Sequence, residues 1–181
     1  MGKLVVTEFI TLDGVIEDPG ELGWAFRFER GDEGNRFKLD ELMAADVQLL
    51  GRRTYEGFAK AWPERTGDEF SRKFNEMPKV VVSTTLTDPE WQNTTVIAGD
   101  LEREIPALKE RYEGDVLVSG SGQLVRSLLE LGLVDEVRLL VYPTVLGRGK
   151  RLFEDGVPPQ DFAFAEVRPA GECAILVLRR A

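Results

Sequence analysis

The chain has 181 residues, 43% hydrophobic and 30% charged, the length for one sizeable core and the composition of an ordinary globular domain. A net charge of −9 and a pI near 4.7 oppose attraction to nucleic acid or to an anionic membrane surface, so neither is an expected partner. Histidine is absent and Cys173 is the single cysteine, which excludes Ser-His-Asp and Cys-His machinery, imidazole-based zinc sites and an internal disulfide.

The N-terminus, MGKLVVTEFI, enters a strand-like pattern at once. No apolar run approaches the roughly 20 residues that span a bilayer. Cys173 lies in the apolar run ECAILVL and reads as a buried strand thiol, which suits a reducing compartment. A soluble, unprocessed cytoplasmic protein without a metal site is expected.

In chain order, short runs rich in β-branched residues predict strands at 4–10, 47–50, 80–83, 95–98, 115–119 and 136–142. Helix-like segments fall between them at 35–45, 54–61, 67–77, 101–112 and 123–131. This alternation indicates an α/β domain with a mainly parallel sheet. Val80, Val81 and Val82 leave their strand no polar face, as when helices cover both sides. After Tyr142 the pattern changes, because runs at 162–168 and 172–179 are separated only by Pro169-Ala170-Gly171. That spacing predicts an antiparallel hairpin closing the sheet. No linker divides the chain, so residues 1–181 are read as one domain. The irregular stretch 13–34 is long for a connector, and such loops are commonly functional.

Three strand ends have the residue types of an anion site. Gly51-Arg52-Arg53-Thr54 joins a strand to a helix, with Thr54 as a plausible cap and two guanidiniums beside free helix amides. Ser83-Thr84 ends the Val80 strand in hydroxyls, which donate to phosphate and equally form turns. Gly120-Ser121-Gly122-Gln123-Leu124 opens a helix where glycine lets backbone approach an anion closely. It is not a G-x-G-x-x-G fingerprint, since Val125 stands at the third glycine position. Each of the three reads equally well as a structural turn. All of them lie at carboxyl ends of predicted parallel strands, the edge at which open α/β sheets bind ligands.

With Thr11-Leu12-Asp13-Gly14 after the first strand and Pro143-Thr144-Val145-Leu146-Gly147 after the sixth, these motifs resemble, in order and spacing, the dihydrofolate-reductase-like superfamily. The resemblance is to the branch holding the C-terminal reductase domain of bifunctional riboflavin-biosynthesis deaminase/reductases. It implies a three-layer fold, with a mixed, mainly parallel sheet flanked by helices and a C-terminal antiparallel hairpin. It also implies NADPH across the carboxyl edge. Gly51, Arg52, Arg53 and Thr54 would meet its pyrophosphate and 2′-phosphate, Ser83 and Thr84 its adenosine phosphate, and Gly120, Ser121, Gly122, Gln123 and Leu124 the second pyrophosphate wall. Ile16 is then implied near the nicotinamide and Trp24 at the substrate, with Asp13 and Trp24 the catalytic candidates.

Two positions depart from the resemblance. Thr7 stands four residues before Thr11, where the riboflavin branch carries lysine. The buried acid of dihydrofolate reductases falls on Glu29 when counted from Trp24 and on Asn35 when counted from Gly51, and Glu29, among Arg27, Arg30, Asp32 and Glu33, reads as an exposed charged turn. The expected function is an NADPH-dependent reductase of a small heterocyclic or carbonyl-containing molecule, such as a pteridine or a 5-amino-6-(5-phosphoribosylamino)uracil-like compound. The alternative is a non-catalytic nucleotide- or ligand-binding protein on the same fold. A homodimer pairing through EVRLLVY and ECAILVL is expected from their apolar character and from the resemblance.

Overall fold

A computed structural model of the chain describes residues 2–18 and 23–181. Eight strands form one sheet: β1 (Leu4–Thr11), β2 (Ala45–Gly51), β3 (Lys79–Val82), β4 (Thr94–Ile97), β5 (Asp115–Ser119), β6 (Glu136–Tyr142), β7 (Phe162–Ala170) and β8 (Cys173–Arg180). Their order is β4-β3-β2-β5-β1-β6-β8-β7. The first six are parallel, and β8 and β7 are antiparallel at the closing edge.

The helices are α1 (Gly31–Ala44), α2 (Arg52–Ala61), α3 (Glu69–Glu76), α4 (Leu101–Arg111) and α5 (Gly122–Glu130), preceded by a short 3-10 turn at Trp24–Arg27. The inner strands are buried on both faces. Val47, Leu49, Val116 and Val118 pack against Ile105 and Leu108 of α4 and Leu124, Val125 and Leu128 of α5. On the other face Leu50, Val81 and Leu117 meet Leu42, Tyr55 and Phe74 of α1, α2 and α3. Trp24, Phe37, Leu140, Tyr142, Ile175 and Val177 form a third cluster where α1 crosses β6 and β8.

The sequence expectation is met in the three-layer arrangement, the mainly parallel sheet and the terminal hairpin. It is corrected in the first connection. Part of the stretch expected to be irregular is helical, because α1 starts at Gly31 and the 3-10 turn takes up 24–27. The apolar residues of β6 and β8 offered as excess surface are covered within the chain, as Leu139, Leu140, Tyr142, Ile175 and Val177 are all buried. Exposed large apolar residues at this end are Phe153, Phe164 and Val167.

Candidate functional site

From β1 the chain winds outward through β2, β3 and β4, then returns as β5 between β2 and β1 before crossing to β6. The reversal opens a crevice at the carboxyl ends of β2, β5 and β1, the position at which doubly wound sheets take ligands. Gly51 ends β2 and Ser119 ends β5, so α2 and α5 both start at this crevice. The Gly51 amide donates to Ser121 Oγ at 3.0 Å, and the Ser121 amide donates to Thr54 Oγ1 at 3.0 Å. These two bonds lock the helix starts together.

Neither start has a side-chain cap, whereas α3 and α4 are capped by Asp68 and Asp100. First-turn amides of a helix have no intrahelical acceptor, so α2 and α5 point their free N–H groups and the positive ends of their dipoles into one crevice. Thr54 was expected to cap α2; α2 starts two residues earlier, at Arg52, and the Thr54 hydroxyl accepts from the other helix's turn instead.

The conformation at residues 120–122 explains the glycines. Gly120 and Ser121 both have positive φ, 61° and 63°, a left-handed backbone that glycine adopts at least cost. A Cβ on Gly122 would come within 2.9 Å of Ile16 Cδ1, so Ile16 is seated on this turn. Gln123 and Arg53 are exposed beside it, and Arg52 is exposed but paired with Glu56 at 2.8 Å. Leu124 is buried against the sheet. Ser83 Oγ accepts the amides of Thr85 and Leu86 at 3.1 and 3.0 Å, and Thr84 is exposed; the Ser83 hydroxyl serves its own turn.

The segment 11–16 is stitched to 144–152. Leu12 N donates to Thr144 O, Ile16 N to Lys150 O and Leu152 N to Gly14 O, and Val15 bridges Arg151. Asp13 closes the joint by accepting from Thr11 Oγ1 at 2.7 Å and from the amides of Leu146 and Gly147 at 3.2 and 2.8 Å. The Thr11 hydroxyl, followed by those amides, holds the Asp13 carboxyl down at about 2, so it is an ionised clamp at neutral pH. Trp24 is buried, donates Nε1 to Glu17 O at 2.9 Å and stands edge-on to Tyr142, with ring centroids 5.2 Å apart. Phe9 and Phe28 complete an aromatic wall around Tyr142.

Sequence reasoning missed the polar cluster below this wall. Glu41 of α1, not Glu29 or Asn35, is the buried acid facing β1: its carboxylate accepts from Thr7 Oγ1 at 2.8 and 2.9 Å and pairs with Lys38. Lys38 Nζ donates to Thr7 Oγ1 at 2.7 Å and lies 5.0 Å from the Phe9 ring centre. Glu29 and Asn35 are both exposed. The available signal was Phe37 and Glu41, four residues apart and therefore on one helix face.

Residues 2–176 match the RibD C-terminal domain. The chain belongs to that family. The chain is also similar to the uncharacterized proteins YyaP and YwjB of Bacillus subtilis (strain 168). YyaP is 32% identical over 84% of this chain and 81% of its own length, and YwjB 27% identical over 84% and 83%. A crystal structure of a putative riboflavin biosynthesis protein from Shewanella sp. PV-4 superposes with a TM-score of 0.81 at 21% identity, covering 99% of both chains. The diaminohydroxyphosphoribosylaminopyrimidine deaminase/5-amino-6-(5-phosphoribosylamino)uracil reductase of Thermotoga maritima superposes with a TM-score of 0.68 at 19% identity, and this chain spans 57% of its length. Both likenesses establish the fold.

Proposed function

We propose that this RibD C-terminal domain protein is an NADPH-dependent reductase of a small heterocyclic molecule of the aminouracil or pteridine type. The observation that carries the reading is the pair of uncapped helix starts locked across one crevice by Gly51, Thr54 and Ser121. The residues present fit a dinucleotide. The first-turn amides of α2 and α5 converge, Gly120 and Gly122 leave room for Thr54 and Ile16 to pack on the turn, Arg53 is exposed in the first turn of α2, and Ile16 supplies an apolar surface.

Hydride is the chemistry such a cofactor supplies when bound, so the chain needs no histidine or metal of its own. Its residues would bind, orient and shield. The first-turn amides of α2 and α5 hold phosphate, Arg53 favours the extra charge of a 2′-phosphate, and Ile16 keeps water from the turn it covers. Phe9 and Phe28, half-buried over the Tyr142 ring, offer aromatic surface to a planar ring, with Lys38 at its polar end. In this reading Asp13 and Trp24 position the loop rather than transfer protons, Asp13 being ionised and Trp24 pinned. The protein is taken to work in the cytoplasm as a homodimer; among the described residues no helix is long and apolar enough to cross a membrane.

The test is direct. Enhanced NADPH fluorescence on mixing, followed by steady NADPH oxidation with an aminouracil or pteridine substrate, is expected. Binding without turnover over a broad panel would favour a non-catalytic nucleotide-binding role, and absence of binding would refute the reading.

A further inference from the structure

β5 is paired with β1 only as far as Ser119 opposite Thr7, and from Glu8 onward β1 is hydrogen-bonded to β6 alone. Glu8 therefore stands at the inner end of the crevice. Strand alternation places it between Val6 and Ile10, on the face whose core includes Leu124, Val125 and Leu128 of α5. It is 5% exposed, and its Oε1 is buried with no partner. One residue beyond the Thr7–Ser119 pair, Gly120 follows β5 beside Glu8, and its backbone acts on the Glu8 carboxyl, which ties Glu8 to the first residue of the phosphate turn. None of the contacts assigned above uses this side chain.

A carboxylate in an apolar layer with a buried, unpartnered oxygen is unfavourable, and the usual escape is to hold a proton. Lys38 and Glu41 of α1 are the charged groups that act on Glu8, with opposite signs. Lys38 is already shared between Glu41 and Thr7. Burial is the largest influence, and it pushes the Glu8 carboxyl up to about 8. An ionised Glu8 would set a negative charge against the turn whose amides attract phosphate.

We propose that Glu8 is a neutral carboxylic acid bracing the 120–122 turn, and that this turn takes a dinucleotide phosphate only while Glu8 holds its proton. The second half rests on the NADPH reading; the first does not. At alkaline pH, binding must then draw one proton from solvent onto Glu8, and the affinity must follow the protonated fraction.

Carbon-13 NMR of protein labelled at glutamate carboxyls, assigned with Glu8→Gln, is expected to show Glu8 titrating near pH 8 in the free protein. NADPH affinity, read by cofactor fluorescence, is expected to fall about tenfold between pH 7 and pH 9 in the wild type. Glu8→Gln, neutral at every pH, is expected to bind alike throughout. Titration of Glu8 in the ordinary carboxylate range overturns the proposal, and so does an equal alkaline loss in wild type and Glu8→Gln. If NADPH binds at no pH while Glu8 still titrates near 8, the cofactor reading and the linkage fall together and the neutral acid stands. Should Glu8→Gln not fold, calorimetry of NADPH binding to the wild type at pH 8.5, in buffers of different ionisation enthalpy, reads the linkage. Uptake of most of a proton supports it, and no uptake overturns it.

Discussion

The Ser121 amide donates to the Thr54 hydroxyl at 3.0 Å, so the start of α5 is held by a side chain from the start of α2. The two helices that face the crevice cannot drift apart without breaking this bond. Thr54→Val keeps the shape and removes the acceptor. It is expected to lower stability by about 1 kcal/mol and to weaken NADPH binding more than Thr54→Ser, which retains the hydroxyl. Thermal melts and cofactor fluorescence check both, and equal affinity in the two variants would mean that the bond has no part in binding.

Gly120 and Gly122 separate folding from binding. Gly120 has φ +61°, and an L side chain in left-handed backbone costs about 1–2 kcal/mol, so Gly120→Ala is expected to lower the melting temperature. Gly122 has no such backbone requirement, but its Cβ would meet Ile16 Cδ1 at 2.9 Å. Gly122→Val is expected to keep native far-UV circular dichroism while displacing Ile16 and weakening NADPH. A folded Gly122→Val with unchanged affinity counts against the seat.

The two arginines are not equivalent. Arg52 is paired with Glu56 at 2.8 Å, and no ion pair of Arg53 occurs among the described residues. A charge-assisted hydrogen bond is worth about 1.5–3 kcal/mol, which is about tenfold or more in affinity. Arg53→Ala is therefore expected to weaken NADPH by that factor and NADH little, with Arg52→Ala milder. Calorimetric affinities for both cofactors measure this; equal losses for NADPH and NADH would place the 2′-phosphate elsewhere.

Asp13 makes stability depend on acid. Its folded-state carboxyl is held at about 2, below the ordinary aspartate value of 3.8, so the stabilisation is fully present above about pH 4 and is lost as pH falls through about 2. Asp13→Asn is expected to be less stable than the wild type at pH 7, with the difference shrinking on acidification. Urea midpoints at pH 7 and at pH 3 or below provide the measurement, and a gap independent of pH would assign the effect to packing.

A homodimer is expected at the closing edge of the sheet, where β7 exposes Phe164 and Val167. Light scattering should give about twice the 20.3 kDa of one chain, and Phe164→Glu with Val167→Glu should return one chain's mass. A single-chain mass for the wild type removes the dimer.

Most of the sheet was legible because its strands are short β-branched runs that alternate with amphipathic segments. The limits of β5 and β6 agree to the residue. The start of α1 was not, because Gly31, Asp32, Glu33 and Gly34 resemble a charged turn, and only packing of Phe37 and Glu41 on the sheet makes the segment helical. The turn at 120–122 was legible through its glycines, but the role of Thr54 was not, since its partner lies on another strand end. Glu8 escaped notice for a related reason. In LVVTEFI it occupies an ordinary alternation position, and only pairing of β1 with β5 brings it to Gly120.

Ile16 reaches the 120–122 turn from a ribbon of two segments far apart in the chain, 11–16 and 144–152, joined through Asp13, Val15 and Leu152. The arrangement is a cantilever whose second ply comes from beyond β6. Changes at Leu146, Gly147 or Arg151 need touch neither cofactor nor substrate to alter the crevice, because they shift the support on which Ile16 rests. The segment after β6 can thus diverge as a tuning element for the first loop, with the sheet and both helix starts left untouched.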